Sequence, residues 1–304
     1  MIKRAVIFPG QGSQKEGMGK GLYDRYEEIR SLYSRISDSA GFSVADASFG
    51  SSTEMLGRTG AAQPAIFAHS LACYEVYKMM GGKAAACAGF SLGECTAVCA
   101  SGALGIDDAA RMIAARAKTM QHEAEASSGA MYAILGADEA AIAEAIGESG
   151  GYCEMVNYNC PGQVVIAGEE APCAKVSAAL AAKGFKTSRL NVNAAFHSQL
   201  MAPAAEGFAK KLTGMVWKSP EIELYSNLTG ALMDFSRPPE QYFPLQMLSP
   251  VRWQGLVESM IQAGFDEFIE LGPSRTLSGM IKRISRDVKV VNAETPEDLE
   301  AILG

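Results

Sequence analysis

The chain has 304 residues, 48% of them hydrophobic and 20% charged, which suits one large domain or a large and a small one and excludes a disordered or fibrous array. A formal net charge of -7, with no dense Lys/Arg block, argues against nucleic-acid binding. No apolar run approaches the ~20 residues that span a bilayer, so no membrane association is expected.

The four apolar residues Ala5 to Phe8 predict a first strand and are too few for the core of a signal peptide, which points to a cytoplasmic protein. The strand runs into Pro9-Gly10-Gln11-Gly12-Ser13-Gln14, a glycine-rich turn of the kind that opens an α/β domain. It is no nucleotide loop. A dinucleotide fingerprint would need glycine at Lys15, and a phosphate-cradling loop from Gly12 to Gly17 would need lysine at Met18.

A helix-rich stretch follows, in which Gln63 to Met80 has helical apolar spacing, Pro64 in its first turn and Gly81-Gly82 as its stop. Small apolar residues Ala84 to Ala88 then lead a strand into Gly89-Phe90-Ser91-Leu92-Gly93. The G-x-S-x-G pattern reads as a nucleophile elbow: the strand turns on Ser91 and continues as a helix from Leu92. Side chains two residues either side of the serine would crowd such a turn, and the helix N-terminus aims N–H groups at a carbonyl under attack. A helix over Ile106 to Glu125 carries Asp107 and Asp108 in its first turn. Strand, helix, strand, helix implies a parallel sheet covered by helices.

From Gly129 the units shorten. Ala130–Leu135, Tyr152–Tyr158, Gln163–Ala167 and Phe185–Leu190 predict strands, with helices over Asp138–Ile146 and Ala171–Lys183, so the order is β-α-β-β-α-β, the ferredoxin-like arrangement. The expected fold is therefore α/β, with an α/β-hydrolase-like domain over 1–127 and 193–304 and a ferredoxin-like subdomain inserted at 128–192. Beyond it lie a helix over Ser198–Leu212, a strand at Glu223–Ser226, a helix over Trp253–Gly264, a last parallel strand at Glu267–Leu271 and a helix ending near Arg286.

A serine needs a base, and the sequence has three histidines. His69 sits mid-helix with a structural role, and His122 reads as a surface residue beside Lys118, Glu123 and Glu125. His197 stands where the insert returns the chain to the large domain, placed to overhang a cleft, and is the base by elimination. The seven cysteines, Cys73, Cys87, Cys95, Cys99, Cys153, Cys160 and Cys173, form no C-x-x-C pair, so they suggest buried thiols rather than disulfides or a metal site.

Several stretches, taken together and in order, resemble the malonyl-CoA:acyl carrier protein transacylase family across essentially the whole chain. They are Gly10–Gln14, Gly89–Glu94, Arg116–Gln121, Asn157–Gly168, Ala195–Ser198 and Glu270–Pro273. The resemblance implies that Ser91 is the nucleophile and His197 the base of a ping-pong acyl transfer for fatty-acid biosynthesis, from malonyl-CoA to the phosphopantetheine thiol of acyl carrier protein. It implies further that Arg116 grips the malonyl carboxylate, that Gln11 and the backbone N–H of Leu92 form the oxyanion hole, and that the carbonyl of Gln246 orients His197. No cofactor of the enzyme's own is implied, since malonyl-CoA is substrate and phosphopantetheine arrives on the partner; the expected state is a monomer.

One position departs from the family. Histidine usually precedes the nucleophile there, and here it is Phe90, which leaves the acyl preference open, while Phe196 before the histidine and Leu92 after the serine resemble malonyl-selective members. Lys186 and Arg189 are candidates for docking the carrier. The alternatives are a stand-alone acyltransferase or proofreading acyl hydrolase of a polyketide synthase, an esterase, or a non-catalytic carrier-binding module. About a hundred residues follow His197, unlike the late histidine of esterases.

Overall fold

The computed structural model describes residues 2–50 and 53–304. The first strand, β1 (Arg4–Phe8), is buried from Ala5 onward. The helix-rich stretch consists of α1 (Lys20–Arg25), α2 (Glu27–Ala40), α3 (Val44–Phe49), α4 (Thr53–Gly57) and the long α5 (Thr59–Met79). The last of these begins one turn earlier than its sequence suggests. The N–H groups of Ala61 and Ala62 already bond to the carbonyl of Arg58, which puts Pro64 inside the helix rather than at its start. There the proline gives up one internal hydrogen bond to Gly60.

Next come β2 (Ala86–Gly89), α6 (Leu92–Ala100) and α7 (Ile106–Ala126). The short units follow as β3 (Gly129–Leu135), α8 (Glu139–Gly147), β4 (Cys153–Cys160), β5 (Gln163–Glu169), α9 (Glu170–Ala182) and β6 (Lys186–Arg189). Local chemistry sets their ends. The Asp138 carboxylate accepts from the N–H of Ala141 to start α8, and Gly162 and Gly184, both at positive φ, turn the chain after β4 and α9. A 3-10 turn at Gln199–Met201 then leads into α10 (Ala202–Leu212). The remainder is β7 (Glu223–Ser226), β8 (Ala231–Leu232), α11 (Pro239–Met247), α12 (Trp253–Gln262), β9 (Glu267–Leu271), α13 (Thr276–Ile284), β10 (Lys289–Ala293) and α14 (Pro296–Leu303).

The strands make two sheets. In the larger, the order is β10-β9-β1-β2-β7-β8, parallel except for the β7–β8 pair; the smaller is antiparallel, in the order β4-β5-β3-β6. The strand expected to be last, β9, has β10 on its outer side. Lys289-Val290-Val291-Asn292-Ala293 is a half-buried edge strand, so it lacks the continuous apolar run that exposes an interior strand in a sequence.

Parallel register determines what meets at one edge. Phe8 stands beside Gly89, so the Pro9-Gly10 turn and Ser91 leave the sheet together, and the N–H of Phe90 donates to the carbonyl of Phe8 at 3.0 Å. On the other side of β2, strand β7 delivers Asn227 to the same edge. The small sheet reaches this edge too: the N–H of Tyr158 donates to the carbonyl of Val251 (2.9 Å), and Gly129 lies against the backbone of Ala195, two residues before His197.

The elbow glycines are fixed by contact. A Cβ on Gly89 would lie 1.9 Å from the carbonyl of Gly93, and one on Gly93 would lie 2.0 Å from the carbonyl oxygen of Phe8, so α6 crosses β1 and β2 backbone to backbone. Gly93→Ala is therefore expected to destabilise the protein by about 3 kcal/mol, the upper end of overpacking costs. Gly147→Ala, where an added Cβ meets nothing within 4 Å, should be neutral or slightly stabilising. Urea unfolding of both variants checks this; equal midpoints would contradict it.

Candidate active site

Ser91 sits between β2 and α6 at φ 53° and ψ -103°, a conformation that costs on the order of 1–3 kcal/mol and needs support. The support is Asn227. Its Oδ1 accepts from the Ser91 N–H and its Nδ2 donates to the carbonyl of Gly89, both at 2.7 Å, so one amide clamps the two sides of the turn. Among the described residues only Ser91, His197 and Ser274 are non-glycine residues at positive φ, and the first two face each other.

The Ser91 Oγ lies 2.7 Å from His197 Nε2. His197 Nδ1 is directed at two carbonyl oxygens, of Gln246 (3.1 Å) and Ser249 (3.2 Å). A carbonyl can only accept, so Nδ1 carries the proton, Nε2 presents its lone pair, and the Ser91 hydroxyl donates to it. Backbone carbonyls thus do the orienting that a carboxylate does in a Ser-His-Asp triad.

The third member is Arg116, on α7 and 1% exposed. Its Nη2 donates to Ser91 Oγ at 3.0 Å and, more weakly, to Gln246 Oε1 at 3.5 Å, while Nη1 donates to Gln63 Oε1 at 2.8 Å. Both amide partners are neutral. Among the described residues no carboxylate lies within ion-pair distance of this guanidinium, and its Nε is without a partner. Buried charges are normally paired, and this one has no counter-ion among the described residues.

These groups open on a cleft of about 410 Å³ between the two sheets, lined by Ser91, His197 and Arg116 and by Phe90, Phe196 and Met280. Phe90 packs edge-on against Trp253 with ring centroids 5.8 Å apart, and Met120, whose sulfur accepts from Gln63, also lines the cleft. Gln11 lines the cleft, its side chain tied to Thr59 Oγ1 (3.0 Å) and Gln63 (3.4 Å). The Leu92 side chain is buried in the core, which leaves its backbone N–H as its contribution. Among the described residues neither that N–H nor the N–H of Gln11 has an acceptor.

Sequence reading therefore selects residues that the fold brings together, with several omissions. Gln63, Asn227, Tyr242 and the carbonyl of Ser249 were not singled out, and Gln246 uses its side chain as well as its carbonyl: Nε2 donates to the carbonyl of Ser91 at 2.9 Å. Asn227 follows the end of β7, and only the strand order reveals that this end adjoins the elbow. The other two histidines lie elsewhere: His69 is buried and bonded to the carbonyl of Glu294 (2.8 Å), and His122 is exposed on α7. Lys186 and Arg189 are exposed on β6, but Arg189 is held by both oxygens of Glu170. All seven cysteines are buried and free. Among the described residues no cluster of three or more His, Cys, Asp or Glu is placed to hold a metal, and no helix is long and apolar enough to cross a membrane.

A strained elbow serine bonded to a neutral histidine, with unpaired N–H groups beside it, defines an acyl-transfer site on an α/β fold that combines a mostly parallel sheet with an antiparallel one. Comparison with known proteins makes this specific. The acyl transferase domain family matches residues 6–296. The malonyl CoA-acyl carrier protein transacylase of Bacillus subtilis (strain 168) is 35% identical, covering 99% of this chain and 96% of its own. The crystal structure of the transacylase of that name from Clostridium perfringens superposes with a TM-score of 0.94 at 34% identity, covering 99% and 96% of the two chains. A malonyl-transacylase solved in complex with a type II PKS acyl-carrier protein gives 0.94 at 33%, covering 99% of each. The chain belongs to the malonyl-CoA:acyl carrier protein transacylase family.

Burial and the Arg116 charge together push the His197 pKa down to about 4, against the opposing pull of its two carbonyl partners. The imidazole is then neutral, and able to act as a base, throughout the range above that value. Removing the cation should raise it. Histidine NMR titration is expected to show His197 uncharged at pH 6 in the native protein and a higher midpoint in Arg116→Gln; an unchanged midpoint would mean that the Arg116 charge does not act on the imidazole.

Proposed function

We propose that the protein transfers malonyl groups from malonyl-CoA to the phosphopantetheine thiol of an acyl carrier protein, through a malonyl-Ser91 ester, in the cytoplasm and for fatty-acid biosynthesis. The observation that carries the reading is the buried Arg116 guanidinium without a carboxylate partner, 3.0 Å from Ser91 Oγ. A planar fork with free N–H groups suits a carboxylate at the far end of a short acyl chain.

In the first half-reaction His197 Nε2 takes the Ser91 proton as Oγ attacks the thioester carbonyl. The oxyanion of the tetrahedral intermediate accepts from the N–H groups of Gln11 and Leu92, and the intermediate collapses with the His197 proton passing to the departing CoA thiolate. In the second, His197 takes the proton of the carrier's thiol, the thiolate attacks the ester, and the proton returns to Ser91 Oγ as the malonyl thioester forms. Phe196, which precedes His197 in the chain and lines the same cleft, opposes a branch at the acyl C2, a discrimination of about 1–3 kcal/mol per methylene.

The supporting architecture is an α/β-hydrolase-like domain over 1–127 and 193–304 with a ferredoxin-like subdomain at 128–192; the β-α-β-β-α-β order and the strand order β4-β5-β3-β6 favour the second assignment. The protein works as a monomer with no cofactor of its own. An acidic carrier has candidate contacts in the exposed Lys186 of β6 and in the exposed Lys282 and Arg283 of α13, the helix whose Leu277 and Met280 line the cleft. The polyketide assignment shares the catalytic groups, but a hydrolase for neutral acyl chains gains nothing from a buried cation.

Incubation with malonyl-CoA followed by peptide mapping is expected to place one malonyl increment on the peptide that contains Ser91, and Ser91→Ala to abolish it. Labelling at another residue, or none, would overturn the proposal.

A further inference from the structure

Glu94, three residues after Ser91 on α6, is fully buried and has no place in the chemistry above. Its oxygens face two ways. Oε1 accepts from the N–H of Asn227 (3.0 Å) and from the Tyr242 hydroxyl, and Oε2 accepts from Gln246 Nε2 (2.8 Å). Two of these partners hold the reacting pair: Asn227 clamps Ser91, and Gln246 bonds both the Ser91 carbonyl and, through its own carbonyl, His197 Nδ1. The bonds close a ring from Ser91 through Asn227, Glu94, Gln246 and His197 back to Ser91 Oγ.

Proton directions in this ring admit one pattern. The Ser226 Oγ accepts from the N–H groups of Leu228 (3.2 Å) and Thr229 (3.3 Å), so its own proton goes to the Tyr242 oxygen at 2.6 Å. The Tyr242 proton is then left for Glu94. Every group facing the carboxylate is a donor, and the Arg116 charge favours the same ionised form, as do the bonds to Tyr242, Asn227 and Gln246. Burial opposes them and brings the Glu94 pKa up to about 7.

We propose that Glu94 is the positioning residue of this site, one carboxylate that fixes the backbone of Ser91 through Asn227 and the orientation of His197 through Gln246. This rests on the proposed function only in taking Ser91 and His197 as the reacting pair. The consequence is that a carboxylate stands behind the histidine after all, one amide removed, and acts on the serine at the same time.

Glu94→Gln is nearly isosteric, yet its amide must turn an N–H toward a neighbour that is itself a donor. For malonyl transfer, kcat should fall about 100-fold, the scale of a small misplacement of reacting groups. KM for malonyl-CoA should stay within about twofold, since the Arg116 contacts to Gln63 are untouched. Tyr242→Phe, which takes one donor from Glu94 and the acceptor of the Ser226 hydroxyl but bonds neither Ser91 nor His197, should reduce kcat more mildly and move its acid-side fall to higher pH, because a donor that favours the ionised carboxylate is gone. Ser91 phosphonylation by a fluorophosphonate, a reagent with no carboxylate, should slow in parallel with kcat in both variants. Folded variants with wild-type kcat and phosphonylation rates, or a KM increase with kcat retained, would overturn the proposal. A native protein that fails to take malonyl but shows Glu94-dependent phosphonylation would refute malonyl transfer and leave the positioning role standing.

Discussion

A guanidinium buried beside a serine, with neutral amides as its protein partners, is the constraint around which this site is arranged. Leaving a charge in a poorly solvated place without a counter-ion costs several kcal/mol in general. The arrangement softens that cost without cancelling the charge: Gln63 and Gln246 present amide oxygens to Arg116, and the nearest buried carboxylate, Glu94, faces Gln246, Asn227 and Tyr242 instead. The positive charge therefore remains available to a ligand. It also acts locally, adding to burial in lowering the pKa of the neighbouring imidazole and opposing the burial that raises that of Glu94.

The fold has to hold that charge, the serine and the histidine within hydrogen-bond distance although they come from α7, the turn after β2 and a loop leading from the small sheet. Close backbone crossing at Gly89 and Gly93 locks α6 onto β1 and β2, so the turn cannot relax away from its positive φ. The histidine loop is held from two sides, by carbonyls at the end of α11 and beyond, and by the small sheet, whose Gly129 lies against Ala195. Both sheets therefore shape the cleft, and the antiparallel one contributes lining such as Val165 as well as support.

Much of this was legible in the residues, and the divide between what was and what was not has a physical basis. The elbow could be read because the G-x-S-x-G pattern falls within five residues, and Gly89 answers a demand inside it, although Gly93 is fixed by the distant backbone of Phe8. Strands β7 and β9 were read to the residue, whereas β10, a half-buried edge strand whose Val290-Val291 pair is flanked by Lys289 and Asn292, was missed. The start of α5 was misplaced because Pro64 looks like a first-turn residue until the preceding turn is seen to be helical. Residues whose roles depend on strand order or on a distant partner, Asn227 and Gln63 above all, carry no local signature. Family resemblance supplied Arg116 and Gln246, but not the amide partners that leave the cation unpaired.

The central claim is that the Arg116 charge is kept for the far end of the acyl group, and donor selectivity measures it directly. The ratio of kcat/KM for malonyl-CoA to that for acetyl-CoA should fall sharply in Arg116→Ala. Loss of a buried charge-assisted contact predicts a decline of about 100-fold or more with malonyl-CoA and a much smaller one with acetyl-CoA, which has no carboxylate to lose. An equal decline with both donors would show that Arg116 serves the serine alone, and would contradict the account.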